Sequence, residues 1–220
     1  MNDDERTVLH LDDQGDATGE GGGAGRNLPM AIAVGLGLAG AFFGLLYVGP
    51  GAAMGLVVVA LVLAAAEFYQ AVRHVGYRPA ALLGLVGVAA LALAVYWRGF
   101  EAYPLVLGLM VLVGLLWFLF GVEGEHATAN LAITLMGFGW IGVLGSFAAM
   151  ILKLPDGEAV LIGAVVGTVA YDVGGYVIGR TTGQSRLAPH ISPNKTYEGL
   201  IGGMILAIVV TTLTMNSIPG

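Results

Sequence analysis

Two short segments, VAYDVGGYVIGR at 169–180 and ISPNKTYEGLIGG at 191–203, hold an unusual concentration of side chains able to do chemistry. Asp172 is a carboxylate within an otherwise apolar run. Lys195 and Glu198 are three residues apart, a spacing that puts them on one face of a helix. Ser192-Pro193 reads as a helix start, with serine capping the first free amides and proline at the first helical position. Asn194 and Thr196 are alternative caps. A helix beginning there would offer free N–H groups and a positive dipole end to an anion, and Lys195 in its first turn would add a full charge. Glu198 is placed either to pair with Lys195 or to ligate a metal. Gly199, Gly202 and Gly203 allow close approach of another backbone or a ligand, and Arg180, Arg186 and His190 add positive character upstream. This chemistry suits a polyphosphate on the helix start with Mg²⁺ bridging it to carboxylates. The plain alternative is a basic loop with an ordinary helix cap.

The elements that must position these residues are membrane spans. The chain is 57% hydrophobic and only 11% charged, where a soluble domain has about a quarter of its residues charged. Seven apolar runs, roughly 29–48, 51–72, 79–96, 103–121, 128–152, 159–179 and 197–215, are close to the roughly 20 residues that cross a bilayer core. An all-α, polytopic membrane protein of about seven transmembrane helices is expected. Lys and Arg set its orientation. With a cytoplasmic N-terminus, Arg26, Arg73, Arg78, Arg180, Arg186 and Lys195 face the cytoplasm near spans, against Arg98 and Lys153 on the other side.

Asp172 and Glu67 are the two acids well inside these runs, and an acid at membrane depth is costly unless paired, hydrated or neutral. Glu67 precedes Arg73 by six residues and Asp172 precedes Arg180 by eight, which puts them about 9 and 12 Å from the cytoplasmic boundary at 1.5 Å per residue. One cytoplasmic cavity could hydrate both and hold a divalent cation. Glu67 has a structural alternative, since it can reach headgroups or Arg73.

Residues 1–27 carry seven acids and two bases, so this Gly-rich tail is expected to be a disordered, cytoplasmic domain of its own, ahead of a membrane domain over 28–220. It lacks the basic start and apolar core of a signal peptide. The chain has no cysteine, which excludes disulfides, thiolate zinc sites and cysteine nucleophiles. GLGLAG at 35–40 fits a dinucleotide fingerprint, yet it follows no strand and sits in an apolar helix, so it is not read as one. The glycine pairs 40/44, 163/167, 175/179 and 199/203 have the spacing of close helix packing, within a subunit or between subunits of a homodimer.

Asp172-x-Gly174-Gly175-Tyr176-x-x-Gly179 followed by Ser192-Pro193-x-Lys195-Thr196-x-Glu198-Gly199-x-x-Gly202-Gly203 resembles the phosphatidate cytidylyltransferase family, the CDP-diacylglycerol synthases. The family pattern is similar to D-[ST]-G-A-Y-x-x-G and S-P-x-K-T-x-E-G-x-x-G-G, and Val173 and Gly175 depart from it. The AAEFYQ around Glu67 is similar to an early acidic motif of the family. The specific match covers about 35 residues.

The resemblance implies a Mg²⁺-dependent membrane transferase, with one cation or two, that makes CDP-diacylglycerol and pyrophosphate from CTP and phosphatidic acid in the cell membrane. It implies catalytic roles for Asp172, Lys195 and Glu198. Asp172 would bind metal, and Glu198 would bind metal or orient Lys195. Substrate binding would fall to Ser192, Pro193, Asn194, Thr196, Gly199, Tyr176, Arg180, Arg186 and Glu67. Membrane lipids are expected partners and nucleic acid is not. The family also carries a later signature similar to K-D-x-G-x-x-[LI]-P-G-H-G-G-x-x-D-R-x-D, and nothing like it occurs here. The expectation is therefore a C-terminally truncated chain with little or no activity of its own. The competing readings are a CTP-dependent lipid kinase of the polyprenol or phytol type, a transporter using the two acids, and a non-catalytic membrane protein.

Overall fold

The computed structural model describes residues 28–121 and 126–217. The acidic tail falls outside the described residues. A helix lies at each of the seven expected spans: α1 Leu28–Val48, α2 Pro50–His74, α3 Ala81–Arg98, α4 Ala102–Phe120, a composite helix over 127–151, α7 Gly157–Thr182 and α8 Tyr197–Ser217. The composite consists of α5 Ala127–Gly137, a π-helical stretch Phe138–Val143 and α6 Leu144–Ile151. GLGLAG is continuous helix within α1, so it forms no nucleotide loop. One feature departs from an all-helical chain. A two-stranded antiparallel hairpin, β1 Arg186–Ala188 and β2 Ser192–Thr196, precedes α8.

Five stretches are long and apolar enough to cross a membrane: 50–74, 81–120, 127–151, 157–182 and 197–217. The 40-residue stretch is two helices. Gly99, at φ +64°, breaks the backbone after α3, and the chain folds back so that Met110 of α4 faces Gly87 of α3. The break needs a residue without Cβ, because that φ is costly for other side chains.

Contacts divide the chain into two units, Met1–Ala41 and Phe42–Gly220. Of the first, residues 28–41 are described, as the beginning of α1. In the second, α3 is the central element. Val88, Leu91, Ala92 and Val95 are fully buried, and α2, α4 and the composite helix pack around them. Lipid offers no hydrophobic drive to hold helices together, so small residues that admit close packing do much of this. A Cβ on Gly87 would lie 2.8 Å from the Met110 sulfur and 3.2 Å from the Phe138 ring, and one on Gly137 2.7 Å from Phe68.

Polar groups in the interior are paired, as a medium without water requires. The Tyr69 hydroxyl donates to the Thr134 carbonyl at 2.7 Å. The Thr134 hydroxyl donates to the Asn130 carbonyl at 2.7 Å and accepts from the Ala80 N–H at 3.0 Å. The side chain of Asn130 accepts from the Arg78 N–H at 2.8 Å. On α6, Ser146 Oγ lies 2.7 Å from the Tyr103 hydroxyl. Large apolar side chains cover the outside; Leu105, Leu112, Leu119 and Phe120 of α4 are all exposed, as a lipid-facing surface demands.

Candidate active site

Helices α7 and α8 run antiparallel, in the most extensive helix–helix contact of the described residues. The glycine spacing read from the sequence is the cause. A Cβ on Gly199 would lie 2.7 Å from the Gly175 carbonyl and 3.0 Å from the Gly179 Cα. One on Gly203 would lie 2.8 Å from the Tyr171 carbonyl and 3.0 Å from the Gly175 nitrogen. The 175/179 and 199/203 pairs therefore interlock, and Gly163 adds contact with Met215 further along. Gly44 has open space where a Cβ would be, so the 40/44 spacing serves no packing within the second unit.

The chain between the two helices is short and tied down. β1 and β2 pair Arg186 with Thr196 and Ala188 with Ser192. The Tyr197 N–H donates to the Ser185 carbonyl at 2.9 Å, and the Ser185 N–H donates to both Glu198 carboxylate oxygens at 3.2 and 3.3 Å. Thr196 caps α8, its hydroxyl oxygen accepting from the Gly199 N–H at 3.2 Å.

The expected helix start at Ser192-Pro193 is thus corrected. Residues 192–196 are extended, and the helix begins at Tyr197 with the alternative cap, Thr196. Serine and proline favour a helix start locally, but pairing with β1 outweighs that preference, and proline is tolerated on a strand at the edge of a sheet. Two of the first amides of α8, those of Tyr197 and Gly199, already have protein partners. Lys195 lies on the strand rather than in the first helical turn.

Between the hairpin and the two helices is an open cavity of about 600 Å³. It brings together Asp172, Tyr176 and Arg180 of α7 with Ser192, Asn194, Lys195 and Thr196 of β2 and with Gly199 of α8. Asp172, Tyr176 and Arg180 are four residues apart in turn and so share one helix face. Arg180 Nη1 donates to the Tyr176 hydroxyl at 2.7 Å, and its guanidinium stands 5.9 Å from that ring centre. Asp172, Asn194 and Lys195 are exposed to the cavity mouth. The charged side chains lining it are two cations, Arg180 and Lys195, and one carboxylate, Asp172.

Four of the expected site residues do not line this cavity. Glu67 is exposed on α2, Arg186 and Pro193 lie on the hairpin, and Glu198 directs its carboxylate to Ser185. Tyr171, Leu187 and Leu200 line it without having been singled out. Tyr171 was detectable, since it neighbours Asp172 and falls one helical turn before Gly175. Among the described residues, no group of three His, Asp or Glu side chains is close enough to hold a metal by itself.

A model of the cytidylyltransferase family matches residues 30–220. The chain belongs to this family. Curated relatives named phosphatidate cytidylyltransferase include one from Mycobacterium leprae, 30% identical over 213 residues, covering 90% of this chain and 68% of that protein. One from Mycobacterium bovis is 28% identical over 209 residues, with the same coverage of 90% and 68%. One from Bacillus subtilis is 48% identical over 42 residues, 19% of this chain and 16% of the relative. The cytidylyltransferase chain thus spans about two thirds of the length of the two mycobacterial relatives. No solved structure matches it.

Proposed function

We propose that this cytidylyltransferase moves the cytidylyl group of CTP onto phosphatidic acid, giving CDP-diacylglycerol and pyrophosphate, at the cytoplasmic face of the cell membrane. The observation that carries the reading is the cavity in which Asp172 of α7 meets Arg180 and Lys195. The relatives' names supply the substrate, and the six-to-two excess of basic residues flanking the spans supports the side.

In the reaction an oxygen of the lipid phosphate attacks the α-phosphorus of CTP. The bond from that phosphorus to the oxygen bridging to the β-phosphate breaks, and pyrophosphate leaves with the electron pair. Catalysis of this kind is mostly positioning and charge stabilisation. Lys195 and Arg180 would neutralise the polyphosphate and the charge growing on the leaving group. Tyr176 holds Arg180 in place through its hydroxyl. Asn194 and Ser192 offer hydrogen bonds at the cavity wall. Glu198 would act by fixing Ser185, which closes the loop between α7 and β1.

A single lining carboxylate fits Mg²⁺, which is commonly held by one or two carboxylates with the remaining positions filled by substrate phosphates and water. Asp172 would hold it, with a second cation only where the phosphates supply further oxygens. When bound, Mg²⁺ supplies charge neutralisation of the triphosphate and of the departing pyrophosphate. The homodimer belongs to the same proposal, since Gly40 and Gly44 leave open helix surface of the kind that lets backbones approach.

The test uses the purified chain in detergent with Mg²⁺, phosphatidic acid and CTP labelled separately on cytidine and on the γ-phosphate. A parallel sample carries the C-terminal segment of a mycobacterial relative. Cytidine label in lipid, lost in Asp172→Asn, is expected in at least the extended sample. γ-Label in an added polyprenol would replace this reading with a lipid kinase. Transfer of neither label in both samples would overturn it.

A further inference from the structure

A second cavity, of about 730 Å³, is lined by Arg73, Tyr77, Arg78, Pro79, Leu82 and Trp117 among others. None of these belongs to the cavity around Asp172, and the reading of that site does not bear on this one. The geometry points to a binding site for the phosphate headgroup of an anionic phospholipid, held by Arg73 and Arg78 in a cavity that Tyr77 and Trp117 also line.

The loop that carries the two arginines is built to hold them. Helix α2 ends with Gly76 at φ +101°, its N–H donating to the Arg73 carbonyl at 3.0 Å, while the Tyr77 N–H donates to the Val72 carbonyl at 3.2 Å. This pair of bonds is the Schellman closure, which needs a residue such as glycine at its left-handed position. Beyond it the Arg78 N–H bonds to the Asn130 side chain and the Ala80 N–H to the Thr134 hydroxyl. The loop backbone is therefore anchored to α5 from within, and the arginine side chains are left exposed. A site fixed in advance loses less freedom on binding.

The lining matches one chemistry. Guanidinium forks recognise phosphate oxygens bidentately. Tyrosine and tryptophan rings are at home at headgroup level, where one edge is apolar and the other wet. Both rings are well exposed, and Trp117 lies near the end of α4, whose sides are covered in exposed leucines. Leu82 on α3 is exposed beside them and offers apolar surface to the first carbons of an acyl chain. The positive-inside rule asks only for basic residues in this loop. It does not ask for a cavity that a tyrosine and a tryptophan line together with both arginines.

The experiment measures lipid retained by the purified chain in mixed nanodiscs of phosphatidylglycerol and phosphatidylcholine, read by native mass spectrometry. The wild type is expected to prefer phosphatidylglycerol by on the order of tenfold, the effect of one good charge-assisted contact. Arg73→Gln with Arg78→Gln should remove that preference, Arg73→Lys with Arg78→Lys should keep part of it, and Arg98→Gln should leave it intact. A benzophenone side chain placed at Leu82 gives a second reading that needs no loss of arginine, and is expected to crosslink phosphatidylglycerol. Undiminished preference in a folded Arg→Gln double variant, or crosslinking no greater for phosphatidylglycerol than for phosphatidylcholine, would overturn the proposal. So would displacement of the bound lipid by inorganic pyrophosphate, which would assign the arginines to a soluble phosphate.

Discussion

Replacing Gly203 by alanine tests whether the α7–α8 contact positions the chemistry. Gly203 lies one helical turn beyond Gly199 and does not line the cavity, so its effect has to travel through the backbone. The new Cβ would lie 2.8 Å from the Tyr171 carbonyl oxygen and 3.0 Å from the Gly175 nitrogen. Ordinary contact begins near 3.4 Å, so the helices must separate by about half an ångström at that level. The atoms in the way are backbone, which cannot turn aside as a flexible side chain could. Overpacking of this kind costs about 1–3 kcal/mol, and alanine returns up to about 1 kcal/mol through its helix propensity. The net loss of stability is therefore small, on the order of 1 kcal/mol. The loss of rate should be larger than that figure implies. Tyr171 and Gly175 flank Asp172 on α7, whereas Lys195 is joined to α8, so separation of the helices moves the carboxylate away from the cation. A 1 Å misplacement costs roughly 100-fold, and half of that displacement about tenfold. Gly55→Ala is the control, because nothing lies within 4 Å of its Cβ position; it should stabilise α2 slightly and leave the rate unchanged. The assay pairs thermal unfolding with the initial rate of cytidine incorporation into lipid in a sample that has activity. A Gly203→Ala rate within twofold of wild type would refute the reasoning, as would an equal fall in Gly55→Ala.

Three further outcomes are expected from the same preparation. Asp172→Asn should lower cytidine incorporation by roughly 100-fold or more, the scale of losing a key electrostatic group, while unfolding at the wild-type temperature because Asp172 is exposed. Thr196→Ala removes the cap on the Gly199 N–H and should cost about 1 kcal/mol of local stability, measured as faster amide exchange at the start of α8; Thr196→Ser should restore it. Tyr69→Phe deletes a fully buried hydroxyl that bonds to the Thr134 carbonyl and should lower thermal stability by about 1 kcal/mol without changing the rate, since Tyr69 belongs to the packing around α3 and not to the cavity.

What the sequence made legible, and what it did not, follows from the range of the interactions involved. The helices are visible because their apolar runs are a property of each segment alone. The α7–α8 contact is visible for a related reason. Glycine at 175, 179, 199 and 203 leaves a helix face with nothing on it, and in lipid such a face is most simply used by another backbone. The start of α8 was misplaced because Ser192-Pro193 satisfies a local rule, while the deciding interaction joins Ser192 and Thr196 to residues 186–188. Local capping signals carry no information about a partner strand. Thr196 was available as the alternative, and the bond from its hydroxyl to the Gly199 N–H selects it. Glu67 shows a different limit. Counting residues from Arg73 gives a depth in the membrane, but two acids at one depth on separate helices share a cavity only if their faces point together. Asp172 faces the hairpin cavity and Glu67 is not among its lining residues. The direction of a helix face depends on which neighbour it packs against, and for α2 that is set by Tyr69 and Ala65 buried against the α3 side of the fold. The same reasoning explains the cavity formed by Arg73 and Arg78. Charge counting found both arginines as markers of orientation. Only the closure at Gly76 and the anchoring to Asn130 and Thr134 fix the loop that sets both arginines on one cavity with Tyr77 and Trp117.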